Sequence, residues 1–214
     1  MAEQTGQRND QPSVPERELL LWWVMANTVA WPMALTVMLL GSLFWVGLVE
    51  SGLVTGFLLG ASSGFLVGVL QWMVLRYRIT RARWWILANT VGWGVGGAVA
   101  AALPAAGPAS VNGTGPVAAG LTVAGGLQWL LLRRQGARAG LWALANGVGW
   151  SIIAVVLWAV RWLGAEAGVV AIPTIVLVAV GVGPGAVFGV ITGPVLVRLI
   201  RQPALVESEA GGPS

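Results

Sequence analysis

Apolar residues run almost unbroken from residue 19 to residue 200, interrupted only by short clusters of arginine, glycine and proline. Six blocks emerge, at about 19–48, 52–76, 84–106, 114–133, 139–163 and 169–200. A helix needs roughly 20 apolar residues to cross the hydrocarbon core of a bilayer, and each block supplies that length. In lipid every backbone polar group must be paired internally, so the pattern predicts an all-α integral membrane protein with six transmembrane helices. Residues 1–18 and 202–214 are rich in Glu, Gln, Pro, Ser and Gly and predict disordered tails. The first tail lacks the basic segment and small-residue cleavage site of a signal peptide. The membrane domain is therefore expected over residues 19–201.

Arginine placement orients the helices. Arg76, Arg78, Arg81 and Arg83 separate blocks two and three, Arg133, Arg134 and Arg138 separate four and five, and Arg198 and Arg201 follow block six. With Arg8 and Arg17 this places eleven arginines on one side, against Arg161 alone on the other. Cytoplasmic loops carry the positive charge, so both termini are expected in the cytoplasm.

Within the blocks a motif recurs. Trp23, Asn27 and Trp31 occupy the same places as Trp85, Asn89 and Trp93 and as Trp142, Asn146 and Trp150, in the shared pattern W-x-x-A-N-x-V-G/A-W. Each copy opens an odd-numbered block, and the even-numbered blocks repeat as well. Gly68-Val69-Leu70-Gln71-Trp72 matches Gly125-Gly126-Leu127-Gln128-Trp129, and a degenerate third copy, Gly189-Val190-Ile191-Thr192-Gly193, has Thr for Gln and Gly for Trp. The asparagines are spaced 62 and then 57 residues apart. This predicts three tandem helical hairpins, at about 19–76, 84–133 and 139–200, arranged with pseudo-threefold symmetry about the membrane normal.

These signatures resemble multi-pass bacterial membrane proteins, uncharacterised in function, whose hairpins carry G-x-x-Q-W-x-x-L-R and W-W-x-x-A-N-x-x-G-W-like repeats. The resemblance covers about residues 20–200 and implies the bacterial inner membrane as the location. It brings no activity with it, and the third hairpin departs from the pattern at Thr192 and Gly193.

An asparagine in a hydrocarbon-embedded helix is costly unless its amide is paired. Spacing of four puts each Trp-Asn-Trp set on one helical face. Asn89 lies six residues from Arg83 and Asn146 eight from Arg138, about 9–12 Å deep at 1.5 Å per residue, and Gln71 and Gln128 each lie five residues from the next arginine. Two readings of this shared layer stand. The amides of Asn27, Asn89, Asn146, Gln71 and Gln128, with Thr192, can bond helix to helix and fix their register. Alternatively they form a cup, walled by the deeper Trp31, Trp93 and Trp150, that holds a flat ligand by stacking and amide hydrogen bonds. Trp22, Trp23, Trp72, Trp84, Trp85 and Trp129, nearer the arginines, are expected in an interfacial aromatic belt. Gly56, Gly60, Gly64 and Gly68, like Gly181, Gly185, Gly189 and Gly193, form small-residue grooves against which the tryptophan stripes are expected to lie. Pro184 invites a helix break in block six.

Composition narrows the chemistry. At 57% hydrophobic and 9% charged residues, little remains from which to build an aqueous domain. The chain has no cysteine and no histidine, and all twelve of its positive charges are arginine. Thiol and imidazole catalysis, His- or Cys-ligated metals and Schiff-base lysines are thereby excluded. No carboxylate falls inside a block, and Ser62, Ser63 and Ser151 have no accompanying base, so an enzyme is not expected. The high isoelectric point reflects loop arginines and implies no nucleic acid. The expected role is a non-enzymatic structural or assembly subunit of the membrane. The alternative is a binding or transport protein for a neutral lipophilic molecule such as a carotenoid, quinone or lipid. No cofactor is expected beyond such a ligand, and the partners are the bilayer and either other membrane proteins or further copies of the chain.

Overall fold

A computed structural model describes residues 15–45, 51–79, 81–103, 109–133, 139–166 and 182–200. Every regular element in them is helical: α1 (Glu16–Trp45), α2 (Gly52–Leu75), α3 (Trp84–Ala102), α4 (Ala109–Leu132), α5 (Gly140–Glu166) and α6 (Gly183–Ile200). Among the described residues α1, α2, α3 and α6 are long and apolar enough to cross a membrane, and α4 and α5 contribute the shorter apolar stretches Thr122–Leu132 and Gly140–Val156. The part of block six before residue 182, and both predicted tails apart from the start of α1, lie outside the described residues.

Each helix packs against its neighbours in sequence, and α6 returns against α1, so the six helices close into a ring. The outside of that ring is apolar. Leu39, Leu43, Phe44, Phe65 and Val155 are all more than half exposed, which suits a lipid surround and would be unfavourable in water. The inside is built from tryptophan and amides. Trp23, Trp85 and Trp142 are completely buried, as are Leu75 and Leu196, while Asn27, Gln71, Asn89, Gln128 and Asn146 are nearly so.

The glycines receive chiefly the backbone of the adjoining helix, and an indole edge only at Gly185 (Trp31) and Gly193 (Trp23), rather than whole tryptophan stripes as the sequence suggested. A Cβ placed at Gly60 would collide with the Trp93 carbonyl, and one at Gly68 would lie 2.8 Å from Ile86 Cα. On α6, a Cβ at Gly185 would meet the Asn27 carbonyl, and one at Gly189 would lie 2.8 Å from Val24 Cα. These grooves draw α3 onto α2 and α1 onto α6, freeing the tryptophan stripes to turn inward. The α4–α5 seam is wider: a Cβ at Gly125 would meet nothing closer than Asn146 Cγ at 3.8 Å. In the sequence, Leu121 takes the register position that Gly64 and Gly185 hold in the other two even helices.

Three prolines and three serines bear on these helices. Pro184 is buried in the first turn of α6, where a missing backbone donor is tolerated, and any break before it lies outside the described residues. Pro32 and Pro194 lie inside α1 and α6. Ser62 and Ser151 bond the carbonyls four residues back on their own helices, whereas Ser63 crosses from α2 to the Ala34 carbonyl of α1 at 3.1 Å.

Candidate functional site

The i, i+4, i+8 spacing of each stripe aims three levels of side chains at the centre of the ring. At the level nearest the arginine loops, Trp23, Trp85 and Trp142 form a triangle with ring centroids 6.3, 5.9 and 5.3 Å apart, edge to face throughout. This corrects the expectation of an aromatic belt for Trp23 and Trp85. Only their neighbours face outward, with Trp22 57% and Trp84 44% exposed. Trp72 and Trp129 are partly buried beneath Arg76 and Arg133, whose guanidinium groups lie 5.5 and 5.2 Å from the ring centres. That placement matches an interfacial role. Eight residues along the helices a second triangle, Trp31, Trp93 and Trp150, has centroids 5.6, 5.3 and 6.2 Å apart, and Phe188 of α6 adds a ring 5.3 Å from Trp150.

Between the triangles lie the amides. Gln71 Oε1 accepts from Trp85 Nε1 at 2.8 Å and from Asn89 Nδ2 at 3.1 Å, which uses both of its lone pairs, while Gln71 Nε2 donates to Asn27 Oδ1 at 2.8 Å. One side chain of α2 thus ties α1 to α3. Gln128 Oε1 accepts equivalently from Trp142 Nε1 at 3.1 Å and Asn146 Nδ2 at 3.0 Å. At the third seam Trp23 Nε1 donates to Thr192 Oγ1 at 2.9 Å, and Thr192 in turn donates to the Phe188 carbonyl at 2.7 Å. Threonine keeps the acceptor that the indole needs but offers no second donor. Asn27 and Asn89 also donate to the carbonyls of Trp23 and Trp85, one turn back.

Eight of the nine sequence-predicted site residues line one cavity: Asn27, Trp31, Gln71, Asn89, Trp93, Gln128, Asn146 and Trp150. Thr192 is engaged with Trp23 instead. Sequence reasoning passed over Val67, Ala124 and Phe188, which complete the lining. Phe188 lies one turn before Thr192, a spacing that could have flagged it. The cavity measures about 20 Å³. One water molecule needs at least about 10–15 Å³ by this measure, whereas sites for drug-sized ligands run to several hundred cubic ångströms.

The fold and this interior define an all-helical protein whose apolar helices can cross a membrane around a tryptophan and carboxamide centre. No family model, no curated protein and no solved structure matches the chain.

Proposed function

We propose that the chain is a non-enzymatic, multi-pass protein of a bacterial cell membrane, and that its tryptophan–amide interior is a structural core, making it a structural or assembly subunit. In this reading six spans form three tandem hairpins about a pseudo-threefold axis, with both termini cytoplasmic. Supporting the repeat, Trp85 and Asn89 bond Gln71 as Trp142 and Asn146 bond Gln128, and Trp23 takes the corresponding place against Thr192. The eleven-to-one arginine distribution supports the orientation.

One observation carries the functional reading: among the described residues the indoles pack against one another, and the cavity that they line with the amides measures about 20 Å³. A carotenoid or quinone would have to separate Trp31, Trp93 and Trp150, forfeiting contacts worth about 0.5–1.5 kcal/mol per aromatic pair beyond their buried area. The groups present are neutral hydrogen-bonding amides and apolar rings, which fix helix register at about 0.6–2 kcal/mol per interhelical bond.

Absorption and mass spectra of protein purified in mild detergent from its native membrane, together with Trp93→Leu, provide the test. The expected result is no stoichiometric small molecule and a lower melting temperature for the variant. A bound lipophilic molecule that is lost from a still-folded Trp93→Leu protein would replace this reading with a ligand-binding one.

A further inference from the structure

The motif copies are not equally satisfied, and the inequality is concentrated at the cavity. Gln71 reaches back to Asn27 within its own hairpin, closing that pair directly at 2.8 Å. Gln128 and Asn89 hold the same two places in the second copy. Among the described residues, however, Gln128 Nε2 donates no hydrogen bond and Asn89 Oδ1 accepts none. In the third copy Thr192 has no amide with which to reach Asn146, whose Oδ1 likewise accepts none among the described residues. Asn89, Gln128 and Asn146 are only 4%, 4% and 5% exposed. All three line the same cavity of about 20 Å³. Buried polar groups in native proteins are paired, with ordered water where protein partners are lacking.

We propose that this cavity is a binding site for a single water molecule, which accepts from Gln128 Nε2 and donates to Asn89 Oδ1 and Asn146 Oδ1. The volume fits one water, and the polar set fits its chemistry: two acceptors for its two hydrogens and one donor for a lone pair. A monovalent cation fits worse, because the Gln128 N–H donor would face a positive charge and no carboxylate lines the site. The water does for the second and third copies what Gln71 does alone for the first. It joins α3, α4 and α5 at the α4–α5 seam, where the space beside Gly125 is open.

The test is an experimental density map of the wild-type protein in lipid nanodiscs, at a resolution that shows ordered water, paired with the melting temperature of Val67→Ile. Val67 lines the cavity, and the added methylene intrudes on it. The expected results are a density peak within hydrogen-bond distance of all three amides and a variant that melts several degrees lower, because displacing the water strands them. A map without that peak overturns the proposal. So does a Val67→Ile protein that melts at the wild-type temperature or above, since filling a dry cavity is neutral or stabilising. Should Val67→Ile fail to fold, the wild-type map alone decides.

Discussion

Trp23 and Thr192 lie 169 residues apart in sequence, yet the indole N–H of one donates to the hydroxyl of the other at 2.9 Å, with both side chains fully buried. This bond joins the first helix to the last. Thr192→Val keeps the shape and removes the acceptor, so it strands a buried indole N–H and loses the hydroxyl's own bond to Phe188. The expected destabilisation is about 1–3 kcal/mol. Thr192→Ser, which retains the oxygen, should recover most of it. Denaturant or thermal melts of the three proteins in one detergent check this, and equal melting of Thr192→Val and wild type would remove the bond from the account of stability.

Adjacent tryptophans should behave oppositely. Trp84 is 44% exposed with Arg83 6.0 Å from its ring centre, whereas Trp85 is completely buried, touches Trp23 and Trp142, and donates to Gln71. Trp85→Leu leaves a cavity and removes one of the two donors to Gln71 Oε1, at an expected cost of about 3–5 kcal/mol by analogy with large-to-small core changes. Trp84→Leu should cost less than about 1 kcal/mol. Unfolding curves of the two variants measured side by side are the check. The outcome against this account is a Trp84→Leu loss as large as that of Trp85→Leu.

This pair also marks how far the sequence could be read. Long apolar blocks made the helices legible, since few other structures satisfy a backbone in lipid. The central amides were legible too, because Asn and Gln recurring in such blocks require partners and the spacing of four named the face. What misled was proximity to arginine. Trp23 and Trp85 lie near the charged loops, which favours a belt, yet they share a face with Asn27 and Asn89, and face rather than depth fixed their position. The glycine grooves were recognisable, but not what fills them: a small-residue groove accepts backbone or ring equally well in a one-dimensional pattern. The unequal seams appear only once α5 is set against α4, which leaves Gly125 3.8 Å from its nearest neighbour.

Those seams yield a contrast between two equivalent glycines. A Cβ at Gly68 would lie 2.8 Å from Ile86 Cα and 3.1 Å from the Ile86 carbonyl oxygen, so Gly68→Ala forces α2 and α3 apart and disturbs the Gln71 bonds one turn away. The expected cost is about 1–3 kcal/mol, as for overpacking. At Gly125 the nearest atom is at 3.8 Å, ordinary contact, and alanine has the better helix propensity. Gly125→Ala should therefore be neutral or stabilising by up to about 1 kcal/mol. Comparing the two melting temperatures tests the seam geometry, and a Gly125→Ala protein as damaged as Gly68→Ala would show the α4–α5 interface to be as close as its counterpart.

Orientation can be tested without background labelling, because the chain contains no cysteine. The loops bearing Arg76, Arg78, Arg81 and Arg83, and Arg133, Arg134 and Arg138, are expected in the cytoplasm, while Ser51, just before α2, and Ser110, in the first turn of α4, are expected at the opposite side of the membrane. Single cysteines at Ser51, Ser110 and Gln135 divide along that line. In intact cells a membrane-impermeant maleimide should label Ser51→Cys and Ser110→Cys, and Gln135→Cys should react only after the membrane is opened. Each position must first be shown to label in permeabilised cells, so that a buried thiol is not mistaken for a cytoplasmic one. Labelling of Gln135→Cys from outside, with the other two protected, would invert the topology and place the Trp23, Trp85 and Trp142 triangle at the outer face.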